Sequence, residues 1–194
     1  MLAAVAVVAF VAVAGAVFWL SEQQARKMQV GIPDFSSQEF QLTDQSGASR
    51  STADFAGAPV ALFFGYTYCP DVCPMTLTLL TNSLDEVGDR GLDTAALQTI
   101  FITVDAERDT PEQLAAYLSL FDTEVTGLTG SSEALVKIQR DFGAYASRVE
   151  REDGVVLWDH TATVYLYDAD GRFTGTIVLN EPPEFVTEKL ARLF

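Results

Sequence analysis

The stretch FFGYTYCPDVCP, residues 63–74, contains both cysteines of the chain, Cys69 and Cys73. The apolar run that leads into it, residues 59–64, is typical of a fully buried central strand. The first proline of the stretch cannot lie inside a helix, whereas the second, Pro74, suits a first helical turn, so a helix is predicted to begin at Pro74. The sequence therefore places the two cysteines on the loop between a buried strand and a helix.

The position of the cysteines favours reactive rather than structural sulfur. Unpaired backbone N–H groups and the positive end of the helix dipole stabilise a thiolate, the form that binds metal or attacks a disulfide. Residues four apart in a turn have Cα atoms roughly 6 Å apart, so the pair can also close reversibly into a disulfide. The alternative is a structural disulfide or two inert core thiols. Against it, so short a loop constrains the unfolded chain little, and the flanking prolines hold the sulfurs at a surface turn.

A second strand is predicted one helix further along the chain. Residues 99–104 form another apolar and β-branched run, and the helix between the two runs has a leucine-rich stripe that stops at Gly88. A strand, helix, strand order of this length predicts a parallel pair with a right-handed crossover. Asp105 then lies at the carboxyl end of its strand, at the same sheet edge as the cysteine loop, where open α/β sheets place their sites.

The rest of the chain is predicted to form helices and hairpins around this pair, which gives an α/β fold. Turn-forming residues after a short apolar stretch predict a hairpin at the N-terminal side. The remaining elements are, in order, that hairpin from residue 40, a helix from Thr110, a break at 127–130, a helix over 132–142, a hairpin of 161–167 with 173–179, and a last helix after Pro183.

Three ordered motifs resemble those of a known family. Residues 66–74 (YTYCPDVCP) resemble the signature of the Sco/SenC family, membrane-tethered thioredoxin-like proteins implicated in building the copper site of cytochrome c oxidase. Residues 104–111 (VDAERDTP) resemble the second block of that family, and Asp159-His160 followed by a strand resembles the third. The match spans roughly residues 40–179 and implies a thioredoxin-like fold of three layers with a central mixed sheet, and a copper-binding function.

His160 is the only histidine in the protein. A lone histidine is ordinarily structural, but the thioredoxin-like order puts His160 at the start of a strand, where thioredoxins place the cis-proline that faces their cysteines. The chain has no proline between Pro111 and Pro182, so a metal ligand can stand in that place. We therefore predict that Cys69, Cys73 and His160 together bind a metal ion.

The predicted donor set suits copper. Thiolates hold Cu(I), and an imidazole helps to retain Cu(II), so two sulfurs and one nitrogen form a soft site that accepts both oxidation states. A zinc site made of two cysteines and one histidine stays open, because catalytic zinc uses such ligand sets.

Four nearby side chains are secondary candidates. Asp71 lies between the cysteines and either tunes their charge or caps the helix. Asp159 can orient the imidazole, although adjacent side chains often point apart. Asp105 is expected to cap a turn, and Met75 is expected to pack in the first helical turn rather than to bind metal.

Residues 1–20 are apolar throughout and carry no charged side chain. At 1.5 Å per residue a helix of this length spans about 30 Å, the hydrocarbon thickness of a bilayer, and Trp19 is placed as an interfacial anchor. The stretch is therefore predicted to be a single transmembrane anchor. A cleaved signal peptide is the alternative, because residues 14–16 (AGA) have the small-x-small form of a cleavage site.

The predicted organisation is an anchor at 1–20, a polar tether at 21–35 and one thioredoxin-like domain at 36–194. Arg26 and Lys27 follow the apolar stretch and nothing basic precedes it, so the positive-inside rule alone weakly places the domain in the cytoplasm. The resemblance implies the opposite, an inner-membrane protein whose domain faces the periplasm, and we follow the resemblance.

The net charge of −15 falls entirely outside residues 1–20. Nucleic acid and anionic membrane surfaces are poor partners for so acidic a chain, and no nucleic acid is expected to bind. Solubility in an acidic or salty setting explains the charge more simply than attraction of cations does.

The resemblance implies a metallochaperone that delivers copper to the dinuclear CuA site of cytochrome c oxidase subunit II, after receiving it from a periplasmic donor. The alternative function is a thiol-disulfide oxidoreductase: Cys69 and Cys73 act as a redox pair that reduces the acceptor cysteines and is recharged by an external reductant. A peroxiredoxin is disfavoured, because Thr67 lies two rather than three residues before Cys69 and the upstream proline of that motif is absent.

Overall fold

The computed structural model describes Gly15 and residues 31–194, and in this part of the chain four helices and nine strands follow one another in an α/β order. The strands are β1 (Gln41–Asp44), β2 (Ser49–Ser51), β3 (Val60–Gly65), β4 (Gln98–Thr103), β5 (Val125–Thr129), β6 (Ala146–Glu150), β7 (Val156–His160), β8 (Val164–Tyr167) and β9 (Phe173–Ile177). The helices are α1 (Val72–Asp89), α2 (Pro111–Leu118), α3 (Ser132–Asp141) and α4 (Pro183–Ala191).

Seven of these strands form one mixed sheet in the order β2-β1-β5-β4-β3-β8-β9. The three central strands β3, β4 and β5 are parallel, with Phe63 opposite Phe101 in the register of the first two. β1 and β8 flank them in antiparallel orientation, and β2 and β9 form the edges. The predicted mixed sheet, the parallel pair and both hairpins that flank it are confirmed.

Helices cover both faces of the sheet, because successive side chains of a strand point to opposite sides. On one face, α1, α2 and α4 pack on Phe63 and Phe101, whose rings meet edge to face at 5.0 Å. On the other face an aromatic cluster includes Phe64, Phe142 and Phe35, with ring centroids 6.1–6.2 Å apart. The result is the three-layer core that the sequence predicts.

β6 and β7 form a separate two-stranded sheet outside the main one. All of their side chains are exposed or half-buried. The sequence does not predict this hairpin as such, because its mixed and charged residues lack the alternation that marks a half-buried strand. His160 consequently ends β7 instead of starting the next strand, which begins only at Val164.

Two further expectations about the elements are wrong. The break predicted at 127–130 is occupied by the end of β5, a buried strand of the main sheet. Its Gly127 lies so close to α2 that a Cβ there would approach Leu118 to 2.5 Å, so the glycine serves close packing and not a turn. α1 begins at Val72 rather than at Pro74, because a proline within the first turn removes only an N–H that has no helical partner.

The predicted transmembrane anchor at 1–20 lies outside the described residues, apart from Gly15. Within the part of the chain that the structure describes, no helix combines the length and the apolarity needed to cross a bilayer.

Candidate metal centre

Strand β3 and helix α1 position the two cysteines. Cys69 lies on the loop between them and is half-buried, whereas Cys73 is the second residue of α1 and is fully buried. The backbone N–H of Cys73 donates a hydrogen bond to Sγ of Cys69 over 3.4 Å. Of the two cysteines, therefore, only Cys69 lies on the loop where both were predicted. Its Sγ accepts a hydrogen bond from an N–H at the N-terminus of the helix, the kind of contact that the sequence predicted.

His160 reaches the cysteines from the end of β7. Its Nε2 lies 3.6 Å from Sγ of Cys73, and its Nδ1 lies 3.1 Å from the backbone carbonyl of Thr161. Because a carbonyl oxygen only accepts hydrogen bonds, Nδ1 carries a proton that it donates to Thr161, and Nε2 faces the sulfurs. The carbonyl of Thr161, which the sequence does not single out, thus orients the imidazole.

One ligand atom from each of the three residues predicted as ligands lies within 4.8 Å of the other two, although the residues are far apart in sequence. An ion at the centre of such a triangle is within reach of metal–sulfur and metal–nitrogen bonds after small side-chain rotations. The donor set of two sulfurs and one imidazole fits copper by its softness.

The two cysteines differ in proton affinity. A hydrogen bond from the Cys73 thiol, assisted by His160 and by backbone N–H groups and opposed by burial, lowers the pKa of Cys69 to about 3. The same sulfur–sulfur hydrogen bond, together with burial, raises the pKa of Cys73. In the metal-free protein Cys69 is therefore the thiolate and Cys73 the thiol.

The pH dependence of alkylation tests this assignment. In the reduced, metal-free protein we expect the iodoacetamide labelling rate of Cys69 to stay nearly constant between pH 5 and pH 8, because a thiol of pKa about 3 is ionised throughout. An ordinary thiol would slow about tenfold per pH unit below its pKa of about 8.5. Mass spectrometry of labelled peptides measures both rates. In Cys73→Ala the donor is gone, and labelling of Cys69 should become pH-dependent; a parent rate that already falls with pH would contradict the assignment.

Gly65 makes room for Cys73 at the end of β3. A Cβ at this position would lie 2.8 Å from Sγ of Cys73 and 2.7 Å from the ring of Phe101, closer than such atoms approach. The sequence places this glycine in the cysteine stretch but offers no signal for its role, because the contact forms only when α1 packs on the sheet.

Asp109 supports the start of the cysteine loop through buried hydrogen bonds. Its carboxylate is fully buried and accepts hydrogen bonds from the N–H and hydroxyl of Thr67, at 3.0 and 2.7 Å, and from the hydroxyl of Thr103 at 2.5 Å. Burial raises the pKa of Asp109, and these hydrogen bonds oppose the rise. Sequence reasoning missed this residue; its signal was a second aspartate in the motif of residues 104–111.

The secondary candidates lie around the site without joining it. Asp71 occupies the N-cap of α1 but is exposed, and its side chain makes no capping hydrogen bond. Asp159 is exposed on β7, next to His160 in sequence. Met75 is 50% exposed. Asp105 is buried, and its backbone N–H donates a hydrogen bond of 2.9 Å to the hydroxyl oxygen of Thr103.

Comparison with known proteins agrees with this geometry. The family model SCO1/SenC matches residues 32–194. Among curated proteins, the mitochondrial SCO2 homologue of Danio rerio is 41% identical over 78% of this chain and 52% of its own length, so the chain spans about half of that relative.

Solved structures show the same likeness. The structure of Bradyrhizobium japonicum ScoI with copper bound is 41% identical, with a TM-score of 0.72 over 81% of this chain and 98% of that one. Arabidopsis thaliana ScoI, also with copper bound, is 30% identical, with a TM-score of 0.74 over 80% of this chain and 96% of that one. The match extends over the whole described domain, and the chain therefore belongs to the SCO1/SenC family.

Proposed function

We propose that this protein is a copper metallochaperone that binds one copper ion through Cys69, Cys73 and His160. The observation that carries the proposal is the convergence of these three ligand atoms to within 4.8 Å of one another. Two family members that resemble the chain over about four-fifths of its length were solved with copper bound. The two thiolates hold Cu(I), and the imidazole adds the nitrogen ligand that Cu(II) favours.

Binding of the ion releases one proton in this scheme. Cys69 meets the ion as a thiolate, whereas the thiol of Cys73 loses its proton when its sulfur turns from Cys69 to the metal. Nε2 of His160 already faces the sulfurs while Nδ1 bonds the carbonyl of Thr161, so the imidazole enters without turning its ring.

Delivery runs by ligand exchange with an acceptor protein. Cys69 is the more exposed sulfur, so an incoming thiolate displaces it first and Cys73 last. The acceptor that the family suggests is the CuA site of cytochrome c oxidase subunit II, during assembly of the oxidase. A periplasmic copper donor precedes this step.

The same cysteine pair supports a second candidate function, thiol-disulfide exchange. Both cysteines are free, and Cys69 combines a thiolate with partial exposure, which is the character of an attacking sulfur. Its thiolate would attack an acceptor disulfide, Cys73 would then displace the second sulfur, and the acceptor would leave as a dithiol while this pair becomes a disulfide. An external dithiol reductant would restore the pair.

The remaining parts of the proposal concern location. Residues 1–20 anchor the protein in the inner membrane, residues 21–35 form a tether whose last residue, Phe35, already packs in the core, and the domain of residues 36–194 faces the periplasm. The composition of residues 1–20 and the family support this arrangement.

Anaerobic copper and thiol analysis of the purified domain tests the proposed function. We expect one copper per chain, and two thiols that react with a chromogenic disulfide in the metal-free form but are protected when copper is bound. X-ray absorption should report sulfur and nitrogen neighbours. If the domain lost all its copper to a weak chelator and both thiols stayed freely reactive, the copper proposal would be wrong. Thiol exchange would then remain as the function.

A further inference from the structure

The hairpin of β6 and β7, which carries His160, has little support of its own. It forms no strand pairing with the main sheet, and its side chains bury little surface. An isolated two-stranded hairpin is at best marginally stable in water. Something outside the hairpin must therefore hold His160 over the cysteines.

Arg108 contacts this hairpin from the loop between β4 and α2. Its Nη1 donates a hydrogen bond of 3.0 Å to the backbone carbonyl of Val156, the first residue of β7. On its other side, Nε donates over 2.5 Å to Asp105, whose side chain is only 3% exposed, and Nη2 pairs with the same carboxylate. One edge of the guanidinium is thus bound to the loop that follows β4, and another edge is bound to the hairpin.

The same guanidinium also covers the cysteine loop. It lies over the ring of Tyr68 at 4.8 Å and over the ring of Tyr66 at 5.9 Å. Tyr66 in turn meets the ring of His160 edge to face at 5.7 Å and is itself 2% exposed. Arg108 therefore links the loop that bears Cys69 to the strand that bears His160.

We infer that Arg108 is a positioning residue for His160: it joins the imidazole-bearing hairpin to the cysteine loop and so completes the three-ligand site. This inference rests on the proposed function for its metal readout. A planar guanidinium is needed, because its Nε and Nη1 donors must point to Asp105 and Val156 at the same time while its central carbon lies over two rings. The point charge of a lysine keeps the attraction to Asp105 but cannot form both connections.

Two variants of Arg108 test the inference in the full domain. In metal-free Arg108→Ala and Arg108→Lys, amide hydrogen exchange of residues 156–160 should be about tenfold faster than in the parent, because the tether to Val156 is lost. Cu(II) dissociation constants, measured by competition with a chelator, should rise about 10–100-fold, as for other residues that orient a metal ligand. The electron paramagnetic resonance signal of bound Cu(II) should lose its nitrogen coupling.

A matched control separates positioning from general destabilisation. Arg50 also pairs with a buried aspartate, Asp44, at 2.7 Å but lies away from the hairpin. Arg50→Ala should leave both the exchange of residues 156–160 and Cu(II) binding unchanged. If Arg50→Ala had the same effect as Arg108→Ala, loss of a partly buried ion pair would explain the result and the inference would be wrong.

A double-mutant cycle shows whether Arg108 acts through the imidazole. In the His160→Ala background, Arg108→Ala should change the Cu(II) dissociation constant less than twofold. An equal loss in both backgrounds, or no loss in the parent, would overturn the inference. If His160→Ala itself leaves Cu(II) binding unchanged, the proposed function fails, and the exchange rates alone then decide whether Arg108 holds the hairpin.

Discussion

Cys73→Ser is expected to abolish stable copper binding. Cys73 is the fully buried sulfur of the site and faces both Cys69 and His160. Apparent binding free energies of about 10–16 kcal/mol for four-ligand zinc sites correspond to about 2.5–4 kcal/mol for each ligand, so the Cu(I) dissociation constant should rise roughly 100- to 1,000-fold. A serine oxygen is also a hard donor that Cu(I) binds poorly. Anaerobic competition with a Cu(I)-specific chromogenic chelator measures the change.

Met75→Leu is the matched control for this variant. It also removes a sulfur from the first turns of α1, but the Met75 side chain is half exposed to solvent, so copper binding should match that of the parent. Thermal unfolding of both variants without copper shows that the domain is folded. Retention of copper by Cys73→Ser at parental affinity would show that Cys73 is not a ligand.

His160→Ala is expected to separate copper binding from thiol chemistry. Loss of the single nitrogen ligand should raise the Cu(II) dissociation constant at least roughly a hundredfold, by the same per-ligand free energy. Cu(I) binding should weaken less, because both thiolates remain. Reduction of a model disulfide should continue, since the hydrogen bond from the Cys73 thiol, the largest cause of the low Cys69 pKa, does not involve the imidazole. Chelator competition and stopped-flow thiol exchange measure the two properties in one preparation.

Asp159→Ala controls for changes in β7. It alters the residue next to His160, but its side chain is exposed and does not belong to the three-residue ligand cluster, so both copper oxidation states should bind as in the parent. If His160→Ala kept parental Cu(II) affinity, the imidazole would not be a ligand. If it lost disulfide reduction together with copper, the two functions would depend on one another.

Much of the site can be predicted from the sequence because its parts are encoded locally. An apolar run before Cys69 and a proline after Cys73 are sufficient to indicate a strand, a loop and a helix start. His160 is identified by being the only histidine and by the motif it shares with the family. The local patterns say which residues carry chemistry, but they contain nothing about distances between them.

The fold shows the same division. β3, β4 and the four helices have strong periodicity or clear start signals, so their order is predictable from neighbouring residues alone. β5 could not be predicted, because Gly127 indicates a break in the sequence pattern. In the sheet the same glycine allows α2 to pack at close range. The hairpin of β6 and β7 could not be predicted for a different reason: its strands bury too little surface to require an alternating pattern of apolar and polar residues.

The sequence by itself determined the α/β order and the cysteine loop, since each depends on residues within a few positions of one another, and it singled out His160 as the only histidine. Tertiary structure decided which sulfur is the thiolate, because that depends on a hydrogen bond between Cys69 and Cys73 and on unequal burial. It also decided that Asp109 supports the loop and that Arg108 reaches Val156. These contacts join elements that are distant in sequence, and only packing of the sheet, helices and hairpin brings their atoms together.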